Sequence, residues 1–359
     1  MANSIVIGEN AFDRIGDLLE RKKPTSTYIL VDSNTRKYCY PIFEALSRVN
    51  TKENLIEIPA GEKSKDIQTC INIVTRLFDL NADRRSLLIN LGGGMICDIG
   101  GFSASVYKRG IEFINIPTTL LSMVDAAVGG KNGINLLDRK NIIGTFTEPA
   151  AIYVYPPFID TLPREEIRSG FAEVVKHTLI SNAEKWKELK RQSWDDYNSD
   201  KLKELIGESV FFKSEITRED FRDNGRRRIL NFGHTIGHGL ETASLNTSKP
   251  LRHGEAVAAG MVAELYLSHI LCSFPKKEMN EAVHFLHTLF NDVVLNTSIN
   301  KIMPILLSDK KNYGEQIGFS LLKSPGDPDE LRFPTPGQIS ESLSFMLEEF
   351  SRTPVHDRN

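Results

Sequence analysis

The chain has 359 residues, of which 40% are hydrophobic and 25% charged, and a net charge of -3. This length is more than one small core requires, so we expect two packed domains. With 44 basic and 47 acidic side chains there is no electrostatic reason to expect nucleic acid or an anionic membrane as a partner.

Cysteine usage and apolar patterning indicate a cytoplasmic protein. The cysteines are Cys39, Cys70, Cys97 and Cys272. They are far apart and form no CxxC pair, which favours a reducing compartment over a disulfide framework. The N-terminus has no basic region followed by a long apolar run, so we expect no signal peptide. The longest apolar stretch, 256–272, contains Glu264 and His269, and this predicts a buried helix rather than a membrane span.

The first half of the chain alternates β-rich runs with helical patterns. The runs are Ser4–Ile7, Tyr28–Val31, Leu55–Ile58, Leu87–Asn90, Phe113–Ile116 and Ile152–Tyr155. This alternation predicts a mainly parallel sheet covered by helices. Ligands of such sheets bind beyond the carboxyl ends of the strands.

Helical periodicity dominates from about Pro163 onward. The apolar stripe of a C-terminal helix comprises Ile339, Leu343, Met346, Leu347 and Phe350. The one β feature is Ile317–Leu322, a Ser-Pro-Gly-Asp-Pro turn, and Leu331–Phe333. We therefore predict an α/β domain over residues 1–161, a helical domain over residues 162–359, and an active site in the cleft between them.

Three glycines, Gly92, Gly93 and Gly94, directly follow the run Leu87–Leu91, and a helix carrying Asp98 is expected after them. Glycines at this point let a backbone approach a diphosphate at a helix N-terminus. The alternative is a tight strand-to-helix turn without a ligand, because the spacing is not the GxGxxG fingerprint.

Polar residues recur at helical spacing in the second half. Glu173 and Lys176 are three residues apart and share a helix face. Asn231, His234 and His238 form a second stripe, and a third segment contains His253.

Histidines with a carboxylate suit zinc, and three protein ligands leave a position for substrate. The alternative for any one histidine is a hydrogen-bonded core residue. Spacing alone nominates His234 and His238 as joint ligands, because they are one turn apart.

Lys213 continues an apolar stripe formed by Leu202, Ile206 and Val210. A lysine in this position either extends to solvent or points into a site. The sequence alone favours extension to solvent.

Taken together, the motifs resemble those of dehydroquinate synthases, in the family's order, from about Asp32 to Lys311. The matching segments are 92–102 (GGGMICDIGGF), 107–110 (YKRG), 117–121 (PTTLL), 124–131 (VDAAVGGK), 140–144 (KNIIG), 162–165 (LPRE), 172–176 (AEVVK), 230–238 (LNFGHTIGH) and 253–257 (HGEAV).

The resemblance implies a Rossmann-like NAD domain and a helical metal domain. It implies Zn²⁺, with Co²⁺ as the other candidate, held by Glu173, His234 and His253, so His238 is not a ligand on this interpretation. The positions matched to NAD binding are Asp32, Glu62, Lys65, Gly93, Gly94, Asp98, Thr118, Thr119, Lys140 and Thr161. Those matched to substrate binding are Arg109, Asp125, Lys131, Asn141, Lys176, Lys213, Arg227, Asn231, His238 and Lys310.

The implied activity is that of 3-dehydroquinate synthase, a phosphate-eliminating cyclase that acts on a phosphorylated sugar acid with catalytic NAD. Residues with implied roles in catalysis are His238, Asp223, Lys176 and Lys213. Arg109 resembles a residue that reaches a neighbouring site across a homodimer interface. The alternatives are another sugar phosphate cyclase (valiolone-, inosose- or amino-dehydroquinate-type) and a metal-dependent polyol dehydrogenase.

The sequence departs from the family pattern at three places. Asn132 stands where threonine is usual, and Asp223 where glutamate is usual. The segment between His238 and His253 is longer than common.

Overall fold

The computed structural model describes residues 4–49, 52–137, 139–192, 199–245, 247–308 and 316–351. The chain forms two compact units. The first comprises Met1–Gly170 and Asn198–Arg222, and the second Phe171–Tyr197 and Asp223–Asn359. The sequence analysis assigned 198–222 to the second domain, whereas the structure packs this segment in the first unit. The single boundary after residue 161 remains a prediction.

A six-stranded sheet forms the centre of the first unit, with the order β1-β8-β5-β4-β2-β3 and parallel pairing throughout. Its strands are β1 (Ser4–Ile7), β2 (Thr27–Asp32), β3 (Leu55–Ile58), β4 (Leu87–Gly92), β5 (Glu112–Pro117) and β8 (Ala151–Val154). Every residue of β4 and β8 is buried, as expected for strands covered on both faces. The predicted α/β architecture is confirmed.

Helices complete the first unit. They are α1 (Asp13–Lys22), α2 (Ser33–Tyr38), α3 (Tyr40–Ser47), α4 (Ile67–Asp79), α5 (Gly94–Val106) and α8 (Ser199–Glu219). The apolar stripe of α8 packs against Ser122–Ala126 and Pro156–Thr161. These contacts place α8 in the first unit, although it follows the second unit's first helices in the chain.

A β-hairpin that the sequence analysis missed joins β6 (Lys131–Leu136) to β7 (Arg139–Phe146). The residues of β7 are all exposed or half-buried, so the strand has no buried run to mark it. Asn132 donates hydrogen bonds to the carbonyls of Gly130 (3.2 Å) and Thr147 (2.8 Å). The departure at Asn132 therefore has a structural role, because its amide anchors the base of the hairpin.

The second unit is mainly helical. Its helices are α6 (Arg164–Ser181), α7 (Ala183–Leu189), α9 (His234–Ser244), α10 (His253–Cys272), α11 (Lys276–Leu289), α12 (Ile299–Leu307) and α13 (Pro336–Ser351), the first turns of α6 belonging to the other unit. An antiparallel hairpin joins β9 (Phe319–Ser324) to β10 (Asp327–Arg332), so the second strand begins within the predicted turn. Helix α10 is long and apolar enough to cross a membrane, but 72% of its apolar window is buried inside the protein, as expected for a core helix.

Candidate active site

Most of the NAD candidates follow the carboxyl ends of parallel strands in the first unit. Asp32 ends β2, and Glu62 and Lys65 follow β3. Gly93 and Gly94 follow β4, Thr118 and Thr119 follow β5, and Thr161 follows β8. Residues that are far apart in sequence thus share one edge of the sheet, where α/β folds bind nucleotides.

The glycine segment leads directly from β4 into α5. Gly93 is the N-cap of α5 and supplies no side-chain cap. A Cβ at Gly93 would lie 3.1 Å from Thr119 Cγ2, and one at Gly94 would lie 3.1 Å from Ala126 Cβ. Glycine therefore suits both positions, and the N-terminus of this 13-residue helix favours a negatively charged group such as a diphosphate.

A buried lysine connects two further candidates in the first unit. Lys65 Nζ donates to Asp98 Oδ2 and to Asn141 Oδ1, both at 2.6 Å. Burial raises the pKa of Asp98, although the Lys65 ammonium opposes this shift. Asn135 accepts from the Asn141 backbone N–H at 2.9 Å and donates to Glu62 Oε1 at 2.8 Å. The contacts link candidate NAD and substrate residues through Asn135, which the sequence analysis did not identify.

Lys213 lies on α8 with 8% of its side chain exposed. Its Nζ lies 2.6 Å from Asp125 Oδ1 and 2.5 Å from the Asp125 carbonyl oxygen. The expectation that Lys213 extends to solvent is therefore wrong, and the pairing with Asp125 brings together two substrate candidates.

The remaining first-unit candidates lie at less buried positions. Lys131 and Lys140 are exposed on the β6–β7 hairpin. Arg109 is exposed at the end of a 3₁₀ turn and has φ 69°.

Three side chains converge in the second unit. Glu173 comes from α6, and His234 and His253 are the first residues of α9 and α10. Their candidate ligand atoms all lie within 4.8 Å of one another. Glu173 Oε1 lies 3.4 Å from His234 Nε2 and 3.3 Å from His253 Nε2. One carboxylate oxygen thus faces both imidazole Nε2 atoms.

The other ring nitrogen of each histidine has an acceptor. His234 Nδ1 lies 3.2 Å from the Phe232 carbonyl oxygen, which can only accept, so Nδ1 carries the proton. His253 Nδ1 lies 3.4 Å from Glu241 Oε1. Contacts of this kind fix the tautomer and leave Nε2 available to a metal.

Charges at this cluster are strongly coupled. Burial alone would raise the pKa of Glu173, but the Lys176 ammonium and the two histidines hold it well below its usual range. Burial and Lys176 lower the pKa of His234 well below its usual value. Burial also opposes a charge on His253, yet Glu241 and Glu173 raise its pKa to about 10. The cluster therefore keeps its carboxylate ionised.

Other candidates in the second unit surround these three. Lys176 is buried and forms an ion pair with Glu173 Oε2. The His238 ring centroid lies 5.2 Å from that of His234, one turn along α9. Arg227 is buried and Asn231 half-buried on the 3₁₀ segment Arg226–Asn231.

Asp223 is half-buried with φ 59°, a left-handed conformation that aspartate tolerates better than most residues. Lys310 lies outside the described residues.

Two glutamates of the second unit were not among the predicted site residues. Glu241 contacts His253, and Glu264 lies buried in α10. Glu241 continues the stripe of His234 and His238 at helical spacing, so the sequence pattern could have nominated it as a site residue. Glu264 was noted only as a charge in an apolar run, and its contacts depend on tertiary packing.

Comparisons with known proteins identify the family. Family models for the 3-dehydroquinate synthase N-terminal and C-terminal domains match residues 55–169 and 170–312. A 3-dehydroquinate synthase of Parabacteroides distasonis is 41% identical over 96% of this chain and 98% of its own length. The chain belongs to the 3-dehydroquinate synthase family.

Solved structures show the same fold at lower identity. A 2-epi-5-epi-valiolone synthase from Streptomyces hygroscopicus, solved with NAD⁺ and Zn²⁺, has a TM-score of 0.85 and 23% identity, covering 97% of each chain. A 2-deoxy-scyllo-inosose synthase in complex with carbaglucose-6-phosphate, NAD⁺ and Co²⁺ has a TM-score of 0.81 and 24% identity, covering 96% of each chain. The predicted fold, with an α/β and a helical part, is thus confirmed.

Proposed function

We propose that this chain catalyses the 3-dehydroquinate synthase reaction. In it, 3-deoxy-D-arabino-heptulosonate 7-phosphate is converted to 3-dehydroquinate and phosphate, a step of the shikimate pathway and of aromatic amino acid biosynthesis. The observation that carries this proposal is the 41% identity to a 3-dehydroquinate synthase over nearly the full length of both chains.

The metal site consists of Glu173, His234 and His253. Glu173 is fully buried; its Oε2 pairs with Lys176, and its Oε1 faces two Nε2 atoms. Two nitrogens and a carboxylate oxygen suit zinc, with cobalt as a second candidate. When bound, the metal would polarise the hydroxyl group that is oxidised.

The cofactor site lies at the carboxyl ends of the parallel strands, with Gly93 and Gly94 at the N-terminus of α5. NAD would accept a hydride and return it within one turnover, so it would not be consumed. The chain's own residues bind and orient it. Asp98, on the second turn of α5, forms an ion pair with the buried Lys65, and Thr118 follows the adjacent strand.

Cationic side chains are available to bind an anionic substrate. The substrate class carries a phosphate and a carboxylate, and Lys131, Arg227 and Lys310 are donors of the required kind. Arg227 is buried, and its guanidinium can clasp a carboxylate or phosphate in a bidentate manner. Lys213 holds Asp125, while His238 and Asp223 are the candidates for moving protons.

We further propose a cytoplasmic homodimer in which Arg109 reaches the active site of the second copy. Its exposure supports this assignment, because an exposed side chain is accessible to a second copy of the chain. Light scattering of the purified protein should give twice the mass of the chain, and a monomer would refute the dimer.

Phosphate release from a panel of substrates tests the activity. We expect release from 3-deoxy-D-arabino-heptulosonate 7-phosphate with NAD and zinc present. Release from sedoheptulose 7-phosphate or glucose 6-phosphate, and none from the heptulosonate, would instead assign the chain to a sister cyclase.

A further inference from the structure

A buried glutamate lies where the two histidine-bearing helices meet. Glu264 is on α10, 11 residues (about three turns) after His253, and its side chain has no solvent exposure. A charged side chain inside an apolar helix is costly unless it is hydrogen-bonded, so its contacts define its role.

The contacts of Glu264 are with the first turn of α9. Its Oε2 accepts from the Gly233 backbone N–H at 2.7 Å, and its Oε1 accepts from the Ile236 N–H at 3.3 Å. The Thr235 N–H also points at the carboxyl group. Gly233, the N-cap of α9, has φ 79° and supplies no side-chain cap. Glu264, from a different helix, therefore accepts hydrogen bonds from the free backbone N–H groups at the N-terminus of α9, as an N-cap side chain usually does.

Helices α9 and α10 pack closely beside Glu264. A Cβ at Gly260 would lie 2.0 Å from the Gly233 carbonyl oxygen and 2.8 Å from Gly237 N. Helices α9 and α10 thus touch backbone to backbone at this point. Burial raises the pKa of Glu264 to about 8, and the three backbone N–H groups oppose that shift. A negative or hydrogen-bonding group is favoured at this helix N-terminus.

We propose that Glu264 is a positioning residue for the metal site, because its carboxyl group holds the turn that aims His234 at the metal. The residue after Gly233 is His234, so the carboxyl group fixes the peptide that begins the ligand's own helix. The same glutamate belongs to the helix that starts with His253, so it ties the two histidine-bearing helices together. The inference rests on the proposed function, in which both histidines bind zinc.

Zinc affinity, measured by competition with a chromophoric chelator, tests this role without an activity assay. The variants are Glu264→Ala and Glu264→Gln, compared with Asn182→Ala, which removes the N-cap of α7 in the same unit. Loss of a group that orients a metal ligand typically weakens metal binding about 10- to 100-fold. We expect this loss for Glu264→Ala, a smaller loss for Glu264→Gln, which keeps one acceptor oxygen, and an unchanged Kd for Asn182→Ala.

The absorption spectrum of the Co²⁺-substituted protein gives a second readout, because it reports the ligand geometry. A changed spectrum in the Glu264 variants, but not in Asn182→Ala, supports the proposal. If Glu264→Ala has the wild-type Kd for zinc and the wild-type Co²⁺ spectrum, and only its Tm is lower, the positioning role is refuted. Glu264 would then only cap the N-terminus of α9. If Glu264→Ala does not fold, the Kd for zinc and the Co²⁺ spectrum of Glu264→Gln test the proposal in the same way. Absence of zinc binding by the wild-type protein would refute the metal site itself as well.

Discussion

Replacement of Glu173 by glutamine should destabilise the metal-free protein strongly. The Glu173 side chain has 0% exposure and Lys176, its ion-pair partner, has 1%. Glu173→Gln keeps the shape but leaves the ammonium buried without its counter-charge. Breaking a buried pair by removing one partner costs about 3–5 kcal/mol. Solvent screens neither group, so we expect the full loss of stability.

The chain supplies a matched control for this measurement. Glu184 and Lys187 form an ion pair at the same i,i+3 spacing, but their side chains are 77% and 47% exposed. Urea unfolding in the presence of a chelator gives the free energy of unfolding of each variant. We expect Glu184→Gln to leave this free energy unchanged within error, because exposed pairs contribute little.

A double variant separates charge from packing. Glu173→Gln combined with Lys176→Met removes both charges and should recover most of the stability lost in the single variant. A Glu173→Gln protein that unfolds like Glu184→Gln would refute the view that the buried pair dominates the local energetics. Equal losses in the single and the double variant would refute it as well.

Three further predictions concern other parts of the molecule. Gly260→Ala should lower the free energy of unfolding by about 3 kcal/mol through its backbone clash, whereas Gly207→Ala, with nothing within 4 Å of the added Cβ, should raise it by about 0.5–1 kcal/mol; urea unfolding checks both. Lys213→Met should lower kcat/KM about 10²-fold, because Asp125 loses the ammonium that pairs with it. Lys203→Met on the same helix should leave kcat/KM unchanged, and initial-rate measurements check both variants. The pKa of Glu264 is raised from 4.5 to about 8, so the folded protein retains a proton that the unfolded chain releases. Stability should therefore fall as the pH rises from 4.5 to 8, and Glu264→Gln should flatten this part of the unfolding profile.

The sheet could be predicted from the sequence because its four central strands, β2, β4, β5 and β8, are almost entirely buried. Runs such as Leu87–Asn90 and Phe113–Ile116 are short and mainly apolar, and the structure forms β4 and β5 there. The β6–β7 hairpin was missed because β7 has no buried run. Helix α8 was recognised as a helix, but its placement in the first unit depends on contacts that no local pattern encodes.

The metal cluster shows what helical spacing alone misses. Spacing nominated His234 with His238, because the two are one turn apart. In the structure, Glu173 and His253 converge on His234 from two other helices. The same holds for Lys213: periodicity placed it on an apolar stripe but could not predict Asp125 as its partner. Such contacts arise from helix packing, so only a resemblance or a structure can supply them.

The number of product molecules formed per NAD tests most directly whether the chain is a redox-neutral cyclase. Purified protein, zinc, substoichiometric NAD and 3-deoxy-D-arabino-heptulosonate 7-phosphate are incubated, and phosphate, carbocycle and NADH are followed together. We expect phosphate and 3-dehydroquinate in large excess over NAD, no accumulation of NADH, loss of turnover with a chelator and recovery with zinc. NADH that accumulates in step with substrate consumption would contradict this and identify a dehydrogenase.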